Sequence, residues 1–138
     1  MEHLKHYARL LIVAAAIAVP VAAMAVDVKV RSEGAVSYAS GGVGDEERQV
    51  FDSMSKDFNL KLTMALSSGH FVSDATVQIA DSHGHTILDV VSNGPLFLAQ
   101  LPPGSYTISS SLNGKEQKRS VQVSSDKQEQ VAFTWKEE

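Results

Sequence analysis

Between Asn59 and Trp135 apolar residues recur at every second position, in short runs broken by turn residues, and this period of two constrains the chain more than anything else in it. In LKLTMAL, Leu60, Leu62, Met64 and Leu66 fall on one side and Lys61 and Thr63 on the other. ATVQIAD repeats the pattern with Ala75, Val77 and Ile79, and HTILDVV follows the turn at Ser82-His83-Gly84. LFLAQL sits between Asn93-Gly94-Pro95 and Pro102-Pro103-Gly104. SYTISSSL places Tyr106, Ile108, Ser110 and Leu112 on one face, and Asn113-Gly114 is a strong two-residue hairpin signal before a return through Val121 and Val123. QVAFTW closes the series with Val131, Phe133 and Trp135. About seven short strands with turns every eight to twelve residues predict a mainly β chain, an antiparallel β-sandwich whose sheets each have a dry and a wet side.

The residues before Asn59 follow other rules. VDVKVR (26–31) alternates and predicts a short strand, able also to pair with a sheet edge. SEGAVSYASGGVG (32–44) is small and glycine-rich and predicts a loop or linker. DEERQVFDSMSKDF predicts a helix capped by Asp45, with Glu46 and Glu47 favourable in its first turn and Val50, Phe51, Met54 and Phe58 on one apolar face. At the start, Lys5 and Arg9 precede an uncharged run from Leu10 to Ala25 that contains Pro20 and ends in Ala23-Met24-Ala25. The run has 16 residues, short of the roughly 20 that a spanning helix needs, and small residues stand where a signal peptidase reads. The expected organisation is a signal peptide over 1–25 cleaved after Ala25, a strand, loop and helix over 26–58, and the sandwich over 59–138.

The chain has a formal net charge of −4 and no cysteine. Without a clustered basic face it is a poor candidate for nucleic acid, and disulfides, thiolate metal sites, a cysteine nucleophile and a lipid anchor built on an N-terminal cysteine are all excluded. SGGVGDEERQVF raises the question of a phosphate loop, yet a P-loop needs lysine and Ser/Thr after its last glycine. Here Gly44 is followed by Asp45, Glu46 and Glu47, which repel phosphate, and no glycine stands where a dinucleotide fingerprint needs its third. The stretch reads as a tight connection into the helix.

Two-ligand spacing at His83 and His85, with His70 as a possible third partner, is the arrangement a zinc or copper ion would use; the competing reading is an exposed DSHG turn, and no metal or cofactor is expected. No serine lies in a nucleophile elbow, and Asp57, Asp74, Asp81 and Asp89 form no acid pair by spacing. Tyr38, His70, Phe71, Phe97, Tyr106 and Trp135 are the side chains that could stack on a sugar, of which Trp135, sharing a face with Val131 and Phe133, and Tyr106 read as core. Tyr38, His70 and Phe71 remain as contact residues in loops, Phe71 serving alternatively as a lid over an open end of the sandwich.

The stretch QLPPGSYTI (100–108), with DATVQIADSHGHTI before it and a closing valine-rich pair after it, resembles the carboxypeptidase regulatory-like domains, which are transthyretin-like or prealbumin-like sandwiches. The resemblance covers residues 59–135, and the chain from YASGGVG onward also looks like small exported proteobacterial proteins that carry this domain alone. It implies the sandwich fold and an exported location. It implies no peptidase activity, because the zinc-binding peptidase domain is absent. The ending TWKEE also lacks the Tyr-Arg-Gly-Ser tail of the transthyretin-like hydroxyisourate hydrolases.

The function expected from these features is a non-catalytic interaction module of the periplasm, partnered by an envelope protein and offering loops or a free strand edge. The alternative is a carbohydrate-binding module using Tyr38 and Phe71. A hydrolytic or metal-dependent protein built on His70, His83 and His85 ranks last.

Overall fold

The computed structural model describes residues 28–137. The expected signal peptide, and Val26 and Asp27, lie outside the described residues. Nine strands and one helix form two packed sheets. The strands are β1 (Arg31–Glu33), β2 (Val36–Gly41), β3 (Leu60–Leu66), β4 (Thr76–Ala80), β5 (Thr86–Val91), β6 (Leu96–Gln100), β7 (Gly104–Leu112), β8 (Lys115–Val123) and β9 (Glu129–Trp135); the helix α1 (Asp45–Ser55) separates β2 from β3. One sheet runs β1-β2-β6-β3-β9 and the other β5-β4-β7-β8. The seven strands expected after Asn59 are all present, and every pair is antiparallel except β3 with β9, which run parallel.

Alternation decides which side chains meet between the sheets. Leu60, Leu62 and Met64 of β3 join Val77 and Ile79 of β4, Tyr106 and Ile108 of β7, and Phe133 and Trp135 of β9 in one buried cluster. Each of these side chains contributes about 1.5–3 kcal/mol by leaving water, which makes this cluster the main source of stability. Asn113 and Gly114 both take positive φ, as a two-residue hairpin of type I′ requires.

Four expectations are corrected. Residues 32–44 are not a loop throughout: 34–35 turn and 42–44 connect to the helix, but 36–41 form β2, which pairs with β6 and stacks Tyr38 on Phe97, with ring centroids 5.7 Å apart. The run of Ser, Ala and Gly conceals a strand because its outer face must be small to let the helix lie on it. The strand expected at 26–31 begins only at Arg31; Val28, Lys29 and Val30 precede it in irregular backbone, and Val28 packs under the helix. The helix cap is Gly44, not Asp45, which is the first helical residue; no side chain caps the end. Finally, the first sheet is not wet on its outer side throughout. Phe51, Phe58, Leu96, Leu98 and Ala39 form a second buried cluster beneath the helix. Strand β6 therefore sends Phe97 and Ala99 inward and Leu96 and Leu98 outward, buried on both faces.

The glycines answer the question that SGGVGDEERQVF poses. Gly42 has φ +95°, and a Cβ there would crowd Leu96. A Cβ on Gly41 would collide with the Glu47 carboxylate and press on Phe51, and one on Gly94 would collide with the Gly41 carbonyl. The helix then grips the loop: Gly42 N–H donates to Glu47 Oε1 at 2.6 Å, and Arg48 Nη1 donates to the Gly42 carbonyl at 3.0 Å. An amide that could have met a phosphate is held by the chain's own carboxylate.

Candidate functional site

The two ends of the sandwich differ in what they gather. At the lower end the β1–β2 turn, the β4–β5 turn and the β6–β7 corner converge on a cleft of about 450 Å³, within the range of roughly 300–1,000 Å³ typical of binding sites. Val36, Ile87, Pro102 and Tyr106 line it, and Glu33 and Asp81 add two carboxylates.

Local structure explains each wall. Gly34 turns the β1–β2 connection at φ +59° and brings Glu33 beside the cleft. In β5 the register shifts between the partners of Ile79 and Ala80, leaving Ile87 as an extra residue. That bulge re-aims Ile87 toward the core beside Leu88, where it borders the cleft. Tyr106 is buried at the start of β7, and its hydroxyl donates to the Pro102 carbonyl at 2.6 Å, tying strand to corner. Burial raises the Tyr106 phenol above its ordinary pKa, and the negative charge of Asp81 adds to the effect. The Asp81 carboxyl is held below the usual aspartate range, first by the His85 backbone N–H and also by that of His83. Both amides donate to Oδ1 at 2.9 Å. Asp81 is thus a fixed anion next to a neutral phenol. The same pair forms the wall of a neighbouring, more polar cleft of about 340 Å³ lined by Ser82, Ser105, Ser120 and Gln122.

Close by, Asn59 locks the corner. Its Oδ1 accepts from Leu101 N–H at 2.9 Å, and its Nδ2 donates to the carbonyls of Leu101 at 2.8 Å and Ser124 at 3.3 Å. This buried amide, visible in the sequence only as the place where the period changes, ties the floor of the lower end to the β8–β9 connection.

The residues singled out from sequence do not assemble. His83 and His85 lie in the β4–β5 turn, exposed, with ring centroids 6.2 Å apart and His85 Nδ1 3.7 Å from Asp81 Oδ2. His70 lies in the β3–β4 connection, at the other end of β4. Among the described residues no three His, Asp or Glu side chains gather as a metal site. Tyr38 packs against the cluster between the sheets, whereas Phe71 is 52 % exposed with the Arg48 guanidinium 5.0 Å above its ring. The two rings form no shared platform, and it is the neighbouring Val72, buried at 5 %, that joins the cluster between the sheets.

One grouping at the upper end has the composition of a hydrolytic triad. Ser68 Oγ lies 2.9 Å from His70 Nδ1, and Glu137 Oε2 lies 3.7 Å from the same nitrogen. A relay needs the acid on one ring nitrogen and the nucleophile on the other. Here both address Nδ1, and the imidazole is 79 % exposed. The arrangement cannot pass a proton from serine to a base oriented by the acid.

No protein-family model matches the chain, and no curated protein matches it.

Proposed function

We propose that this chain is a non-catalytic interaction module of the cell envelope, exported by its N-terminal segment, which binds an extended segment of a partner protein along the free edge of β5. The observation that carries the reading is the unequal treatment of the four sheet edges. Edge β1 is three residues long. Edge β8 carries Lys115, Glu116, Lys118 and Arg119, the charges that discourage pairing, and its side chains reach β9, the fourth edge. Edge β5 is six residues, TILDVV, with Asp89 as its one charge and Val91 54 % exposed. Such a strand can accept another by main-chain hydrogen bonding, with specificity supplied by pockets beside it. The helix docked by Phe51 and the clamp at Asn59 support a rigid platform rather than a moving lid. Resemblance to the carboxypeptidase regulatory-like domains agrees with this role, since such domains accompany or bind other proteins.

A photo-crosslinking amino acid placed at Val91, and separately at Lys118, in the full chain within cells of its source tests the reading. A discrete adduct from position 91 and none from 118 is the expected result; equal labelling from both, or none from 91, contradicts it. Sequencing the mature N-terminus in the same cells checks export, with Val26 expected as the first residue and an unprocessed chain against it.

A further inference from the structure

The cleft at the lower end lies where β5 begins, between the edge strands of the two sheets, and its lining is chemically one-sided. Its floor is the apolar surface of Val36, Ile87, Pro102 and Tyr106, its charges are the carboxylates of Glu33 and Asp81, and none of its lining residues is basic. Phenol, proline and aliphatic surface suit a hydrocarbon stem, and the two anions suit a positive group at its end. Lysine and arginine divide themselves in this way, burying methylenes along apolar surface while the charged head stays with water and anions.

The anionic wall is built in rather than accidental. Asp81 is fixed by two backbone N–H groups through Oδ1, and its side chain is only 28 % exposed. Asp81 is an anion at neutral pH as any aspartate is, the amides fix where that charge sits, and Tyr106 spends its hydroxyl proton on Pro102 and has none to give Asp81. Among the described residues no lysine or arginine lines this wall, and a cation from outside is the complement it would take. The nearest internal candidate, His85, approaches Oδ2 only to 3.7 Å and is exposed on the rim.

Resting on the reading of β5 as a docking edge, we infer that the cleft of Glu33, Val36, Asp81, Ile87, Pro102 and Tyr106 is the specificity pocket of that edge. It receives a lysine or arginine side chain from the partner strand laid along β5. The bulge at Ile87 sets both features at once, because the residue that interrupts the β4–β5 register also forms the pocket wall.

The test follows backbone amide shifts of the described domain, within the full-length mature chain, on titration with blocked valine–threonine hexapeptides. One carries a single lysine, its counterpart glutamine at the same place, and n-butylammonium serves as the free cation. The lysine peptide is expected to shift β5 amides together with Glu33, Ala35 and Asp81, and to bind about five-fold more tightly than the glutamine peptide at low salt. Glu33→Gln, at an exposed position, should reduce that preference to about two-fold without altering the fold. Equal binding of the two peptides at β5 overturns the cation pocket and leaves the edge standing. Shifts at the cleft from n-butylammonium with no peptide response at β5 overturn the placement beside an edge. No saturable shift from either peptide overturns both.

Discussion

The two long sides of the sandwich are finished differently. On the β8–β9 side, side chains stitch one sheet to the other: Trp135 Nε1 donates to the Lys115 carbonyl at 2.9 Å, Gln117 donates to the Thr134 carbonyl, and the Arg119 guanidinium lies 5.3 Å over the Phe133 ring. On the β1–β5 side, a cleft with apolar walls and two carboxylates opens at the lower end, whereas the Trp135–Lys115 contact stands at the upper end. Both sides border the same core, so core packing does not account for the difference. What differs is whether the residues where an edge strand ends are large and reach across, as Trp135 does, or are followed by small ones that line a cleft, as Gly34 and Ala35 of the β1–β2 turn do. Side-chain stitching protects the β8–β9 edge even though a cleft of about 320 Å³ remains beside Lys115 and Trp135, and an edge without such stitching is the one on offer.

The largest effect that would test this contrast is expected from Trp135→Ala. Removing a side chain that is 4 % exposed and closes the seam should cost about 3–5 kcal/mol in urea unfolding. A loss below about 1 kcal/mol would mean the seam is not structural. Next come the close approaches under the helix: Gly94→Ala forces a methyl onto the Gly41 carbonyl and should cost about 1–3 kcal/mol, with Gly41→Ala similar, while nucleotide still fails to bind. Wild-type stability at either glycine would show that the helix sits farther off. Tyr106→Phe removes the bond to Pro102 and should cost about 1 kcal/mol, loosening the cleft floor.

Acid sharpens the comparison further. The Asp81 carboxyl has a lower pKa folded than unfolded, so its contribution is present above the ordinary aspartate value of about 3.9 and is lost as the pH falls through the lower, folded value. Unfolding midpoints measured across that window should fall, and Asp81→Asn should flatten the fall; an unchanged slope would remove Asp81 from the fixed wall. The smallest effect belongs to Glu33→Gln, expected within about 0.5 kcal/mol of wild type because the open side does not hold the sheets together.

Strands β3 to β5 and β7 to β9 are legible in the sequence because each buries one face and so alternates. Strand β2 is not, because its outer face carries Ala39 and Gly41 to admit the helix and reads as a loop. LFLA of β6 is an unbroken apolar run for the opposite reason, with a layer on each side. The parallel pairing of β3 with β9 joins residues about seventy positions apart, and no local pattern marks it. The candidate site was hidden in the same way. Its residues come from three turns, at 33–36, 81–87 and 102–106, and only the sandwich brings them together. Histidines 70, 83 and 85 stood out by chemical type, yet the fold separates the first from the other two by the length of β4.

The most direct test of the open-and-closed account is native-state hydrogen exchange, residue by residue, across residues 28–137. The account predicts that amides at the β8–β9 seam, from Gln117 and Thr134 to Trp135, open only with global unfolding, while those from Ile87 to Val91 of β5 exchange through local opening at a much lower free energy. Protection of β5 equal to that of β9 would contradict it, because an edge already held as firmly as the closed seam is not one kept available to a partner.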